Sequence, residues 1–312
     1  MCSSTAAMIP KKFFRHLLEY LGARLLVAVV RLLPVAGAIA LGRFLGVAAG
    51  YVIKSRMQLG HENLQRAFGD RFTHEERCRI LRSLMALLGE ALVESVIITP
   101  DDVAKNVEVE GFHHIEQALE SGRGAILLGP HLGMWELAGH VFGTRLSRAA
   151  TLYKPLKNRF IDRYVLASRA QSNMVIIPNQ NTLTSVMRRL RANYAVVFLY
   201  DQNAGRSGVM ATFFGLPAMT YAAPAALSRK TGCPVVPGYF IKLPGFRRHR
   251  MVMCAPIQPV DTGSPEQDVL ATVQRYNDFI EDVVRRHPDQ WFGWLHNRWK
   301  ISRRAQAALQ QP

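Results

Sequence analysis

The sequence predicts an α/β fold in which a mostly parallel central sheet is flanked by helices, preceded by an apolar, membrane-associated helical segment. Two observations predict the sheet. After Pro100, short apolar runs alternate with stretches of helical periodicity, and those runs are continuously apolar, as in strands buried on both faces. A third observation sets the N-terminus apart, because roughly the first sixty residues are apolar with basic residues between them.

The apolar runs and the helical stretches between them predict the order of the elements. Strands are expected at 125–129, 149–153, 174–177, 195–200, 235–241 and 250–255. Helices are expected near 112–121, 133–145, 158–171, 180–192, 221–231 and 266–287. A further helix is expected after Thr73, because Thr73 and Glu76 have the spacing of a capping box ahead of a helical apolar repeat.

The N-terminal segment is basic as well as apolar. Between positions 11 and 56 it carries eight Lys or Arg residues against the single Glu19. Its longest uncharged piece is interrupted by Pro34, and no run approaches the ~20 apolar residues of a clean membrane span. A signal peptide, a spanning helix and a soluble helical cap are alternatives, but an interfacial helix or hairpin on an anionic leaflet fits the basic residues most directly.

The segment divides the chain into two parts. Residues 1–58 are expected to form the membrane anchor and residues 59–312 a single α/β domain, because no internal repeat or linker splits the second part. A chain that is 49% hydrophobic is not a disordered one.

Charge and cysteine content limit the possible partners. The chain has 39 Lys and Arg against 23 Asp and Glu, a net charge of +16, which predicts anionic partners: phospholipid head groups, phosphorylated substrates, acidic proteins or nucleic acid. The four cysteines are scattered and have no histidine at the usual metal spacing, so we expect neither a disulfide framework nor a metal site. The cysteine content also predicts that the protein is in a reducing compartment.

The stretch GAILLGPHLGMWELAG carries the candidate chemistry. It predicts a buried strand, a Gly-Pro turn and a helix beginning near Leu132 or Gly133, which puts His131 at the carboxyl end of a strand. An imidazole there can accept a proton near neutrality, and Glu136 is the candidate carboxylate to orient it, if it reaches back to the turn. The structural alternative is that His131 caps the turn and Glu136 favours a helix N-terminus. No G-x-S-x-G nucleophile is present, so a base here would activate a hydroxyl of the substrate.

Five blocks together resemble the bacterial lipid A biosynthesis acyltransferases, the late lauroyl and myristoyl transferases. These blocks are GPHLGMWELAG, YKPLKN, DQNAG, FFGLPAMTYAAPAALSRKTGCPVVPGYF and HPDQWFGWLHNRWK, and the resemblance covers roughly Arg15 to Arg303. It implies an O-acyltransferase of lipopolysaccharide biosynthesis at the cytoplasmic face of the Gram-negative inner membrane. Such an enzyme moves a fatty acyl chain from acyl carrier protein to a hydroxyl of a lipid A precursor, with no metal and no cofactor. It also implies kinship with H-x4-D acyltransferases, and an acid at Glu136 favours the lipid A branch over glycerophosphate acceptors.

Further residues are candidates for substrate binding. Lys154, Lys157 and Arg163 are basic residues for a phosphate or for the acyl carrier protein, although relatives often have Arg in place of Lys154. Asp201 and Gln202 end a predicted strand at the same sheet edge as His131. Asp201 could position substrate or pair with a basic residue, and the alternative is that these polar residues simply form a turn. The backbone amide near Gly133 is a candidate donor to the oxyanion of the reaction.

The C-terminal block HPDQWFGWLHNRWK interleaves tryptophans with basic residues. Such a pattern is typical of single-stranded nucleic-acid binding or of a membrane interface, and the apolar N-terminus favours the second, so no nucleic acid is expected. Two other functions remain open from the sequence. One is acyl transfer to another acceptor, such as a lysophospholipid, an ornithine lipid or a glycolipid, and the other is a non-catalytic basic protein that binds lipid or nucleic acid.

Overall fold

The computed structural model describes residues 11–170, 172–178 and 182–301. The first ten residues of the predicted anchor, residues 171 and 180–181 of two predicted helices, and residues 302–312 of the predicted domain lie outside this range.

Four helices form the N-terminal part of the described chain. They are α1 (Lys11–Leu32), α2 (Val35–Val52), α3 (Lys54–Phe68) and α4 (His74–Ile97). Pro34 lies between α1 and α2, where its ring disfavours helical geometry for the preceding residue. The capping box of α4 is confirmed, because the Thr73 side chain accepts from the Glu76 amide and the Glu76 carboxylate accepts from the Thr73 amide. The predicted boundary at residue 58 falls within α3.

A seven-stranded sheet forms the centre of the α/β part, in the order β1-β9-β8-β2-β5-β3-β4. Its strands are β1 (Val107–Glu110), β2 (Ala125–Gly129), β3 (Ala149–Tyr153), β4 (Val175–Pro178), β5 (Ala195–Leu199), β8 (Val235–Lys242) and β9 (His249–Met253). The five strands from β8 to β4 run parallel, and β9 with β1 runs in the opposite direction. A separate hairpin consists of β6 (Val209–Phe213) and β7 (Leu216–Thr220).

Helices connect the strands and cover the sheet. They are α5 (Pro100–Asn106), α6 (His113–Glu120), α7 (Ala138–Arg145), α8 (Arg159–Ala170), α9 (Thr182–Arg191), α10 (Ala223–Thr231) and α11 (Pro265–Arg286). Buried apolar residues lie on both faces of the sheet: Ile126 and Leu128 belong to one cluster, and Leu127 belongs to the other. This double burial explains the continuously apolar strands.

The predicted fold class is confirmed, and the six predicted strands are present with ends shifted by at most two residues. Three strands were missed. β1 has the sequence VEVE and lies at the sheet edge, so its alternating charges gave no apolar run. The β6–β7 hairpin turns at Phe214 and Gly215, with φ of +55° and +70°, and its single glycine in an otherwise apolar stretch was not recognised as a turn.

Helix α2 packs closely against α4 through glycines. A Cβ atom at Gly46 would overlap the carbonyl oxygen of Met85, and one at Gly89 would overlap the carbonyl oxygen of Gly42. Within the described residues α2 is the one helix whose length and composition suit a membrane span. The opposite side of α2 exposes large apolar side chains, with Phe44 68% and Val52 82% exposed.

This contact predicts a position-dependent effect of alanine on α2. Gly46→Ala is expected to destabilise the protein by about 1–3 kcal/mol, because the added methyl group forces the two helices apart. Gly37→Ala on the same helix is the matched control, since nothing lies within 4 Å of its added Cβ, and alanine favours helix by roughly 0.5–1 kcal/mol over glycine. Thermal unfolding in detergent measures both, and equal midpoints for the two variants would contradict this packing.

Candidate active site

His131 lies in a turn that begins at the carboxyl end of β2 and is paired with the C-terminal segment. The amide of Phe292 donates to the carbonyl oxygen of His131 at 3.0 Å, and the amide of Gly133 donates to the carbonyl oxygen of Gln290 at 3.0 Å. Gly133 has a φ of +56°, a conformation that favours glycine. The backbone around His131 is therefore fixed by a segment more than 150 residues further along the chain.

The predicted start of the helix is wrong. The helix does not begin at Leu132 or Gly133: a 3₁₀ turn starts at Trp135, and α7 starts at Ala138. The amide of Gly133, near which oxyanion donors were predicted, is itself bonded to the carbonyl oxygen of Gln290. The pairing with residues 290–292 holds the turn in an extended conformation, and the local sequence carries no sign of it.

The side chain of His131 is held by Asp201. The Nδ1 atom of His131 lies 2.6 Å from Oδ1 of Asp201, and the His131 amide donates to Oδ2 of the same carboxylate at 2.9 Å. The indole Nε1 of Trp291 donates to Oδ2 at 2.7 Å. Asp201 follows β5, which pairs with β2, so the parallel sheet brings both residues to one edge.

Glu136 makes no hydrogen bond to His131 within the described residues, although its predicted orienting role would need one. Its carboxylate accepts two hydrogen bonds from Arg169 of α8, at 2.9 and 3.0 Å. The side chains of this pair are 39% and 32% exposed, whereas that of Asp201 is 1% exposed. Glu136 is the nearest carboxylate in sequence, but the carboxylate that contacts Nδ1 is Asp201, which follows the adjacent strand β5.

The electrostatics of the two residues are coupled. Burial alone would lower the pKa of His131, but the Asp201 charge, its hydrogen bond and the more distant Glu136 outweigh this effect and raise it above its usual value. Burial alone would raise the pKa of Asp201, but His131 and the hydrogen bonds from His131 and Trp291 hold it below its usual value. The aspartate is therefore ionised near neutral pH, and it favours the protonated imidazole.

The Nε2 atom of His131 is free to react. With Nδ1 bonded to Asp201, no group in the described part of the chain hydrogen-bonds to Nε2, and the side chain is 15% exposed. The Trp135 ring meets the imidazole edge to face at 5.4 Å, and Phe292 stacks on Trp135 at 5.7 Å between ring centroids. The imidazole is therefore oriented by a buried carboxylate and bordered by aromatic rings.

A large apolar cavity opens beside the turn that carries His131. Its volume is about 1010 Å³, at the upper end of the ~300–1,000 Å³ usual for ligand pockets. Gly129, Pro130, Trp135 and Glu136 line the end next to His131. The cavity continues between the sheet and helices α1, α4 and α8, and its lining there includes Leu26, Val27, Val96, Val165, Ile176 and Val197.

The predicted substrate-binding residues lie in different surroundings. Lys154 and Lys157 follow β3, and Arg163 lies on α8; all three are exposed and form no ion pair within the described residues. Gln202 is half-buried next to Asp201. Asn203, in contrast, is structural, because its side-chain amide donates to the carbonyl oxygens of Asn297, Arg298 and Lys300.

The tryptophans of the C-terminal block are buried, so the prediction of a membrane-interface or nucleic-acid surface is wrong. Trp291 and Trp294 are fully buried and Trp299 is 8% exposed. Trp291 is the functional residue that the sequence reasoning missed, since its role depends on a hydrogen bond to Asp201, 90 positions away. The only signal available was the concentration of aromatic residues in one block.

Known proteins resemble this chain over most of its length. The sequence profile of the family described as bacterial lipid A biosynthesis acyltransferase matches residues 8–301. Lipid A biosynthesis lauroyltransferase of Escherichia coli (strain K12) is 28% identical over 302 residues, which are 95% of this chain and 94% of that protein. Lipid A biosynthesis acyltransferase of Haemophilus influenzae is 25% identical over 260 residues, which are 80% and 78% of the two chains.

A second kind of acyltransferase matches a shorter stretch. Phosphatidylinositol mannoside acyltransferase of Mycobacterium tuberculosis is 27% identical over 209 residues, 64% of this chain and 63% of that protein. The oriented histidine and the adjoining cavity thus occur in a chain whose sequence matches acyltransferases from end to end. The protein belongs to the bacterial lipid A biosynthesis acyltransferase family and is an acyltransferase.

Proposed function

We propose that this enzyme transfers a fatty acyl chain from acyl carrier protein to a hydroxyl of a lipid A precursor, at the cytoplasmic face of the Gram-negative inner membrane. His131 acts as the general base, and Asp201, in place of the expected Glu136, is its positioning residue. The observation that carries this proposal is the contact of His131 with Asp201, in a turn flanked by residues that line an apolar cavity.

The arrangement suits attack by a substrate hydroxyl on a thioester. Nε2 of His131 accepts the hydroxyl proton as the oxygen bonds to the thioester carbonyl carbon. The ionised Asp201 stabilises the imidazolium that forms and keeps Nδ1 protonated. When the carbon–sulfur bond breaks, the thiolate leaving group takes the proton from Nε2, which restores the neutral base. The reaction needs no nucleophile from the protein.

The cavity suits the acyl chain of the donor. Its walls are mostly aliphatic, so a fatty chain placed there is removed from water, which contributes about 0.8 kcal/mol for each buried CH₂ group. A chain bound there would bring its thioester carbon near His131, because Gly129 and Pro130, the two residues before His131, line the cavity. Residues of α1 and α4, two of the N-terminal helices, form part of the cavity wall.

The charge distribution suits an acidic donor, a phosphorylated acceptor and an anionic membrane. Lys154, Lys157 and Arg163 present exposed cations on the connection after β3 and on α8, and the whole chain has a net charge of +16. Exposed apolar side chains on α1 and α2, such as Leu18, Leu25 and Phe44, suit insertion into a leaflet.

A second acceptor class has its own support. The mycobacterial relatives are named for acylation of phosphatidylinositol mannosides, so a hydroxyl of another glycolipid or phospholipid is the alternative acceptor. Equal panels of acyl carrier protein and coenzyme A thioesters, offered with a lipid A precursor or a phosphorylated glycolipid, distinguish these cases. Transfer to the lipid A precursor alone supports the proposal. Transfer only to the other lipid would show that the acceptor is that lipid and not the lipid A precursor.

Removal of the base or its carboxylate is expected to abolish most of the acyl transfer. His131→Ala should lower kcat by about 10²–10⁴-fold, the usual contribution of general base catalysis. Asp201→Asn should lower kcat by a similar order, because the imidazolium loses its countercharge. Glu136→Gln should have the smaller effect, since Glu136 makes its hydrogen bonds to Arg169.

Steady-state transfer assays measure these effects on folded variants. Asp282→Asn is the control, because this exposed carboxylate pairs only with Arg286 on α11 within the described residues. Substantial transfer by His131→Ala would contradict a role as base. A larger loss in Glu136→Gln than in Asp201→Asn would return the orienting role to Glu136.

The acid limb of the pH profile is expected to report the His131–Asp201 contact. The base must be neutral, so kcat/KM should fall as the pH drops through the pKa of His131, which lies above its usual 6.5. In Asp201→Asn the influences that raise this pKa are reduced while burial still lowers it, so the acid limb should move to lower pH. An unchanged acid limb in a variant with reduced kcat would show that another group is the base.

The cavity predicts a change in chain-length preference. Val197 of β5 lines the cavity four positions before Asp201, about 13 Å along the strand. Val197→Phe should reduce transfer of long acyl chains more than of short ones, because the ring occupies the space of the distal methylenes, whereas Val197→Ala should retain the long chains. Competition between donors of different length measures the preference, and a uniform loss for all lengths would place the chain elsewhere.

A further inference from the structure

Three potential metal ligands meet where α3 packs against the start of α4, well separated in sequence from the His131–Asp201 pair. His61 belongs to α3, and His74 and Cys78 belong to α4, one helical turn apart. The Sγ atom of Cys78 lies 3.6 Å from Nε2 of His74 and 3.7 Å from Nε2 of His61. All three ligand atoms lie within 4.8 Å of one another.

The two sulfur–nitrogen distances match two edges of a tetrahedral zinc site. With Zn–S near 2.3 Å and Zn–N near 2.05 Å, a tetrahedral ion separates its sulfur and nitrogen ligands by about 3.5 Å. The two sulfur–nitrogen distances therefore agree with that value to about 0.2 Å. The His61 and His74 rings are stacked, with 5.1 Å between their centroids, so the exposed His74 side chain must rotate before both nitrogens face one ion.

The surroundings of His61 also suit metal binding. Its Nδ1 atom is buried without a hydrogen-bond partner in the described chain, and Nε2 has only the Cys78 thiol. Arg77 is the adjacent cation, and it donates to the carbonyl oxygen of Phe72.

We propose that His61, His74 and Cys78 form a binding site for a thiophilic cation of the Zn²⁺ class. Three protein ligands leave one position for water, on the exposed side next to His74. The thiolate offsets part of the cation's charge, which the neighbouring Arg77 would otherwise oppose. This site revises the expectation of no metal site, which considered the spacing of cysteines and overlooked His74 and Cys78 four positions apart on one helix face.

The cation would join α3 to α4, and α3 in turn holds the C-terminal segment. Asn63 of α3 donates to the carbonyl oxygens of Trp294 and His296, at 2.8 and 2.9 Å. The same segment contains Trp291, which bonds to Asp201. The site is thus structural, and its existence does not depend on the reaction proposed for His131.

Cobalt substitution tests the site on the full-length protein in detergent. After treatment with a chelator, one equivalent of Co²⁺ should produce a thiolate-to-cobalt charge-transfer band in the near ultraviolet and the visible bands of tetrahedral cobalt, and Zn²⁺ should displace both. Cys78→Ser should remove the charge-transfer band. His74→Ala should weaken binding by at least about 10-fold. Cys254→Ser is the matched control, since Cys254 is also a half-buried free cysteine and should leave the spectrum unchanged.

Thermal unfolding gives an independent readout that also shows whether the variants fold. Zn²⁺ should raise the unfolding midpoint of the wild type and of Cys254→Ser, because it binds the folded state, and should not raise that of Cys78→Ser or His74→Ala. If Cys78→Ser fails to fold by circular dichroism, the exposed His74→Ala decides the question. The absence of a charge-transfer band in the wild type, or a band that survives in Cys78→Ser, would overturn the proposal.

Discussion

The buried carboxylate of Asp201 is the constraint on which the rest of the site depends. A charge that is almost inaccessible to water needs donors around it, and here they come from the His131 amide, the His131 ring and the Trp291 indole. These donors belong to the turn after β2 and to the C-terminal segment, while the carboxylate follows β5. One ionised group therefore fixes three distant parts of the chain in one geometry, and the free Nε2 of His131 is the result.

The C-terminal segment is built to keep that geometry rigid. Its tryptophans pack in the core with Phe213 and Phe214, and burial lowers the pKa of Arg298 to about 10. Arg298 still makes hydrogen bonds to the carbonyl oxygen of Met219 and to the side chains of Thr220 and Asn277. Aromatic packing and buried hydrogen bonds are both costly to disturb, so Trp291 has little freedom to leave Asp201.

The N-terminal helices contribute both to the cavity wall and to an exposed apolar surface. Helices α1 and α4 form part of the cavity wall, whereas α1 and α2 expose apolar side chains on their outer faces. Helices α2 and α4 lie so close that only glycine fits at their contact. This contact joins α1 and α2 to the rest of the chain. A fatty chain in the cavity would therefore lie next to the same helices that suit a leaflet, a short path for a substrate of low solubility.

Local pattern was sufficient for the fold class, six of the seven strands of the central sheet, the capping box of α4 and the position of His131 just after a buried strand, because each depends on neighbouring residues or on a period of two or 3.6. The resemblance of five blocks added the family. Tertiary structure alone decided that Asp201 and not Glu136 holds His131, that the Gly133 amide is occupied, and that the tryptophans are buried. These facts arise from contacts between residues about 70 to 160 positions apart, brought together by parallel strand order and by the return of the C-terminal segment to the sheet edge. Sequence spacing determined what each element is, and packing determined which of their side chains meet.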